Sequence, residues 1–108
     1  MYLAQGPRLI VTSSQDGLHF EYEEIVREDG SVSSTVPINS NLWRQYYCTD
    51  GAIKSSVTDD GLHWTKEEGA RLKPEGNFMI CDPAPIRSSS GWMLFYKAAE
   101  LPRRHLQN

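Results

Sequence analysis

Short runs of Val, Ile, Tyr, Trp and Thr alternate along the chain with Gly, Asp, Asn and Ser. This pattern predicts strands separated by tight turns. Apolar residues show no sustained helical period, so we expect an all-β fold. Pro37 and Pro85 fall inside predicted strands, which favours a strand start or a sheet edge. The predicted strands cover residues 8–13, 20–26, 33–38, 42–49, 52–58, 63–68, 84–87 and 91–98.

Two segments of the chain repeat. The heptapeptide SQDGLHF at residues 14–20 recurs as TDDGLHW at 58–64, 44 residues further on. VPI at 36–38 matches API at 84–86, and WRQYY at 43–47 matches WMLFY at 92–96, at offsets of 48 and 49 residues. A period of this length is typical of one propeller blade.

The repeat predicts antiparallel, four-stranded β-propeller blades, with about two blades' worth of chain in a single β domain. In this interpretation residues 8–26 form a half blade, 33–68 a full blade and 82–98 a second half blade.

Composition and charge narrow the function. Three Trp and five Tyr among 108 residues predict a globular domain with an aromatic core. The net charge is −3, and the one basic cluster is at 103–105, so we expect no nucleic-acid partner. The longest apolar run has five residues, too few for a membrane span, and nothing at the N-terminus resembles a signal peptide. Cys48 and Cys81 lack metal-site spacing, so we expect no metal and no cofactor. The favoured interpretation is two buried thiols, and a disulfide between them is the alternative.

The two heptapeptides resemble the Asp-box repeat of sialidases and related propellers, S/T-x-D-x-G-x-x-W/F, in a form with glycine directly after aspartate. The segments CDPAPI at 81–86 and GWMLFY at 91–96 resemble a blade opening of five-bladed glycosidase propellers of the arabinanase, fructosidase and mannoside-phosphorylase types. The resemblance spans residues 8–98 and implies a propeller fold and a carbohydrate-related function.

The Asp-box residues are predicted to be structural. Asp16 and Asp60 would accept hydrogen bonds from turn amides, while Gly17 and Gly61 take a positive φ. The aromatic residues Phe20 and Trp64 would seal the turns, and His19 and His63 occupy an exposed repeat position. The acidic pairs at 23–24 and 67–68 are interpreted as solvated strand ends, because adjacent strand residues point to opposite faces.

The resemblance also implies a site. In glycosidase propellers an aspartate before proline on an innermost strand faces the central funnel and contacts sugar, which makes Asp82 a weak catalytic and a substrate-binding candidate. The favoured interpretation of Asp82 is a structural aspartate in a turn or at a strand start. Arg87, Trp92 and Tyr96 are its predicted neighbours in binding a glycan. Trp43 and Tyr47 are further candidates for stacking on sugar faces, and Glu100 for mimicking a general acid.

Catalysis by this chain alone is not expected. Glycoside hydrolysis needs two carboxylates about 5–10 Å apart, and in five-bladed propellers they come from different blades. The first functional hypothesis is therefore a glycan-binding segment of a glycosidase-type propeller. The alternative is a non-catalytic structural or protein-interaction module.

Open blade edges must be covered. The cover would be the remainder of a longer propeller, further copies of the chain, or strands packed face to face as a sandwich.

Overall fold

The structure, a computed structural model of the chain, describes residues 9–27 and 31–101. That part is all-β and every strand pair is antiparallel, which confirms the predicted all-β, antiparallel class. The basic cluster at 103–105 and the first residue of the first predicted strand, Arg8, lie outside the described residues. No helix in the described part is long and apolar enough to cross a membrane. The strands are β1 (Leu9–Ser13), β2 (Glu21–Arg27), β3 (Ser31–Asn39), β4 (Leu42–Thr49), β5 (Ala52–Thr58), β6 (Thr65–Lys66), β7 (Phe78–Ser88) and β8 (Gly91–Glu100).

The strands form three open sheets, β1-β2, β3-β4-β5-β6 and β7-β8. Strand β7 packs against β3, β4 and β5, and so joins the last two sheets. The radius of gyration is 16.6 Å, whereas a compact domain of this length has about 13 Å. The chain is therefore more extended than a compact domain of the same length.

The largest differences from the predicted bounds are at β7 and β6. Strand β7 begins at Phe78, six residues before the predicted start, because Phe78–Cys81 pair with the end of β8 ahead of a bulge at Asp82 and Pro83. Strand β6 has only two residues, because residues 63–64 belong to the preceding turn and regular pairing with β5 ends at Lys66.

The two strand prolines lie on edge strands, as expected. Pro37 is in β3, at one edge of the four-stranded sheet, and Pro85 is in the two-stranded sheet, where both strands are edges. Their expected equivalence fails, however. Pro37 lies opposite Trp43, whereas Pro85 lies opposite Leu94 and not opposite Trp92, the repeat partner of Trp43. The pairing of β3 is irregular between Pro37 and Asn39, whereas β7 pairs regularly with β8 from Ala84 to Ser88, and this difference contributes to the shift.

The core is small and lies around β4 and β5. Its buried apolar side chains are Tyr47, Cys48, Ala52, Ile53 and Ile80. Most of the expected aromatic core is missing. Among the described aromatics Tyr47 is buried, whereas Trp43, Trp92 and Phe95 are exposed, because the sheet faces on which they lie are uncovered in the described chain.

A disulfide connects the two sheets that share this core. Cys48 of β4 and Cys81 of β7 are bonded, with their Cα atoms 5.0 Å apart, a separation within the range that a disulfide spans. The expectation of two buried thiols is therefore wrong. The packing of β7 on β4, which the sequence spacing does not reveal, brings the two cysteines together.

Candidate functional site

The turns between β1 and β2 and between β5 and β6 have the same internal hydrogen bonds. In the second turn, the Gly61 amide donates to Thr58 Oγ1 (2.9 Å), and the amides of Leu62 and His63 donate to Asp60 Oδ1 (2.8 Å each). The His63 ring donates from Nδ1 to Asp60 Oδ2 (2.7 Å). The first turn repeats each of these bonds at 2.8–2.9 Å, 44 residues earlier, with Ser14, Asp16, Gly17, Leu18 and His19.

These bonds occupy the carboxylates. Hydrogen bonds from the His63 ring and from the amides of His63 and Leu62 hold the pKa of Asp60 well below its usual range. The His19 ring, with the amides of Leu18 and His19, does the same to the pKa of Asp16. A carboxylate held ionised in this way is poorly suited to act as a general acid or base near neutral pH. The geometry therefore favours a structural role.

The glycines of both turns have left-handed backbones, with φ of +78° at Gly17 and +82° at Gly61. Trp64 closes the second turn by donating its indole N–H to the Gly61 carbonyl (3.2 Å). The expected seal at Phe20 is not seen, because that ring is 60% exposed and has no N–H to donate.

Glu67 forms a part-buried cluster that the sequence interpretation missed. Its two carboxylate oxygens accept from Arg44 Nε and Nη2 (2.8 Å each), and Ser55 Oγ donates to Oε1 (2.6 Å). These bonds, those from Arg44 foremost, hold the pKa of Glu67 below its usual range. The expectation of a solvated strand end is thus wrong at Glu67, whereas Glu68 is exposed. The side chains at 23–24 lie outside the described part.

A signal for this cluster is present in the sequence. Arg44 is a charged residue inside the predicted strand 42–49, and an arginine that becomes buried in a strand requires a partner for its charge. The partner is 23 residues away, so the sequence alone does not identify it.

A groove of about 580 Å³ lies beside this cluster. Lys54 in its wall is paired with Asp50, with 3.5 Å between Nζ and Oδ2. The groove therefore combines cationic and anionic groups, and the one carboxylate from the cluster, Glu67, is fully occupied by Arg44 and Ser55. Its walls include Tyr47, Lys54, Lys66, Glu67 and Lys73.

Asp82 lies in the bulge of β7 with a left-handed backbone (φ +55°). Its carboxylate is half-exposed and lies 3.4 Å from Lys97 Nζ. Lys97 and Trp92 occupy odd and even positions of the uninterrupted strand β8, so their side chains are on opposite faces. The structure therefore does not bring the Asp82 carboxylate onto the face of Trp92 and Tyr96.

Arg87, Trp92 and Tyr96 do share a face. Arg87 lies opposite Trp92 in the β7–β8 ladder, and its guanidinium carbon is 5.1 Å from the centre of the Trp92 ring. The guanidinium also donates to the Ile38 carbonyl of β3 (3.2 Å). Tyr96 follows four residues after Trp92 on the same face and borders a second groove of about 560 Å³. We call Arg87, Trp92 and Tyr96 the aromatic face.

The remaining candidates are dispersed. Trp43 is exposed on β4, Tyr47 is buried in the core, and Glu100 is exposed at the end of β8 opposite Phe78. Among residues 9–27 and 31–101, no three His, Cys, Asp or Glu side chains form a group that could hold a metal ion. The chain matches no protein-family model, no curated protein and no solved structure.

Proposed function

We propose that the chain is a carbohydrate-binding segment of a glycosidase-type β-propeller and that its aromatic face contacts the sugar. The equivalence of its hairpins supports the propeller part of the proposal. In β1–β2, Ser13 lies opposite Glu21 and Thr12 opposite Tyr22. In β5–β6, Val57 lies opposite Thr65 and Ser56 opposite Lys66, which is the same register 44 residues later.

The order of the sheets supports it as well. The chain runs through a two-stranded, a four-stranded and a two-stranded sheet. In this interpretation β1–β2 are the outer strands of one blade, β3–β6 form a whole blade, and β7–β8 are the inner strands of the next.

The exposed Trp92 ring with Arg87 over it is the observation that carries the carbohydrate part. An aromatic ring presents an apolar surface that suits the C–H faces of a sugar, and a guanidinium supplies N–H donors for its hydroxyls. Trp92 keeps 42% of its surface exposed although Arg87 lies over it. Tyr96 extends the same surface along β8.

The proposal includes binding and not hydrolysis by this chain alone. The one carboxylate that the resemblance implicates, Asp82, is paired with Lys97 and lies away from the aromatic face. A second catalytic carboxylate would come from a different blade, as glycosidase propellers require.

Titration calorimetry with arabinan-, fructan- and mannan-derived oligosaccharides tests the proposal. We expect one of these to bind, and Trp92→Ala to weaken that binding about tenfold or more. Trp43→Ala is the matched control, because Trp43 is the repeat equivalent and is 44% exposed. The absence of binding to all three classes, or an equal loss in both variants, would refute the proposal.

A further inference from the structure

Strands β8 and β1 each have an open edge, although their repeat equivalents in the four-stranded sheet, β4 and β5, are paired on both sides. Strand β4 has two neighbours, β3 and β5, whereas β8, its repeat equivalent at an offset of 49 residues, has only β7 in the described chain. Strand β5 has two neighbours, β4 and β6, whereas β1, its equivalent at 44 residues, has only β2 among residues 9–27 and 31–101. By the repeat, the hairpin β7–β8 lacks a strand equivalent to β5, and β1 is such a strand. The hairpin β1–β2 lacks a strand equivalent to β4, and β8 is such a strand.

We infer that β8 of one copy of the chain pairs with β1 of a second copy, antiparallel and in the register that β4 and β5 adopt. Tyr46 lies opposite Ser55 in that register, Tyr47 opposite Lys54 and Gln45 opposite Ser56. Transferred by the two offsets, Phe95 lies opposite Val11 of the second copy, Tyr96 opposite Ile10 and Leu94 opposite Thr12. The pairing completes a four-stranded sheet from two two-stranded ones.

The chemistry of the two edges suits this pairing. Phe95, opposite Val11, is 55% exposed, and Ile10, opposite Tyr96, is 48% exposed, so both side chains have apolar surface to bury. Pairs of an aromatic and a β-branched residue directly across two strands are stabilising. All five residues of β1 are uncharged, and β8 has a single lysine, Lys97, before its terminal glutamate, so the register opposes no like charges.

Exposed apolar side chains beside the open edge also favour an occupant. Met93 and Phe95, which point to the face of β8 opposite to Trp92 and Tyr96, are 51% and 55% exposed. A long, apolar strand edge left open is also a site of uncontrolled aggregation.

A second copy is the occupant because one chain carries both complementary edges. The contact is head-to-tail, since β8 and β1 are different surfaces of the molecule. Such contacts repeat from copy to copy, and they close into a ring where the rotation permits. This inference does not depend on sugar binding, which involves the face of β8 and not its edge.

Light scattering on a gel-filtration column gives the first test. We expect a discrete multiple of the 12.3 kDa chain mass. Phe95→Lys should shift the protein to the monomer, because an edge lysine opposes strand pairing. Leu18→Lys is the control, since Leu18 is exposed in the first turn, outside the strands, and its change should leave the mass unaltered.

Cysteine cross-linking tests the register. A tagged chain with Val11→Cys is mixed with an untagged chain with Phe95→Cys. The mixture is oxidised, and the amount of disulfide-linked mixed dimer is measured on a non-reducing gel. The pair should cross-link at least about tenfold faster than Val11→Cys with Leu94→Cys, because Leu94 points to the opposite face. The unsubstituted chain, whose Cys48 and Cys81 are bonded to each other, gives the background.

Three results would overturn the inference. A folded monomer at all concentrations would leave the edges to another protein or to further segments of a longer chain. Aggregates of undefined mass would show that the edges do not select each other. Equal cross-linking from Phe95→Cys and Leu94→Cys would exclude the proposed register.

Discussion

Glu67→Gln tests whether the part-buried ion pair stabilises the four-stranded sheet. The substitution preserves the size of the side chain but removes its charge. One amide oxygen can still accept from Arg44 or Ser55, whereas the new NH₂ group faces an N–H donor of Arg44. The Arg44 and Glu67 side chains are about one quarter exposed, so solvent screens the pair only in part.

The expected loss follows from these contacts. A hydrogen bond to a charged group contributes about 1.5–3 kcal/mol, and an exposed ion pair about 0.2–1 kcal/mol. Partial exposure places this cluster between the two, so we expect Glu67→Gln to lower the free energy of unfolding by about 1–1.5 kcal/mol at pH 7. Urea denaturation followed by tryptophan fluorescence measures it. Glu68→Gln is the matched control, because Glu68 is adjacent and exposed.

The effect of Glu67→Gln on the free energy of unfolding should depend on pH. The pKa of Glu67 is lower in the folded chain than in the unfolded chain. Its contribution is therefore fully present above the unfolded value of about 4.3 and is lost as the pH falls through the folded value. The difference between wild type and Glu67→Gln should shrink from pH 7 to pH 3. A loss below about 0.5 kcal/mol at pH 7, or an equal loss in Glu68→Gln, would refute the reasoning.

Two further predictions concern the second turn. Gly61→Val should lower the free energy of unfolding by about 1–3 kcal/mol in the same urea assay, because a β-branched residue is strained at a positive φ. Gly61→Asn should lower it less, and equal losses in the two variants would contradict the backbone argument. The pKa of Asp60 is lowered in the folded chain, so its carboxylate stabilises the fold at pH 7 and this stabilisation is lost as the pH falls. Asp60→Asn should therefore show a smaller drop in melting temperature between pH 7 and pH 3 than the wild type. Asp59→Asn, at the exposed neighbouring residue, should leave that loss unchanged, and the same pH response in both variants would contradict the assignment.

The order of the strands could be predicted from the sequence because it depends on local patterns. All eight predicted strands have counterparts in the structure, in the same order. The bounds were less predictable where pairing partners decide them. Phe78 enters a strand because the end of β8 extends far enough to pair with it, and no residue near Phe78 encodes that length.

The candidate site was predictable only where its residues share one hairpin. Arg87 and Trp92 are separated by a tight turn, so a sequence that predicts the hairpin also places them near each other. Asp82 is in the same hairpin, yet a bulge, which strand periodicity does not predict, directs its carboxylate towards Lys97. Glu67 was misinterpreted because its partner, Arg44, comes from two strands earlier.

By itself, the sequence determined the β class of this protein and the repeated Asp-Gly turns, since their hydrogen bonds connect residues no more than three apart. Only the tertiary structure decided the disulfide between Cys48 and Cys81 and the acidic partner of Arg44. These features depend on which strands become neighbours. That choice is made by the register and packing of segments distant in the chain, which local residue preferences do not specify.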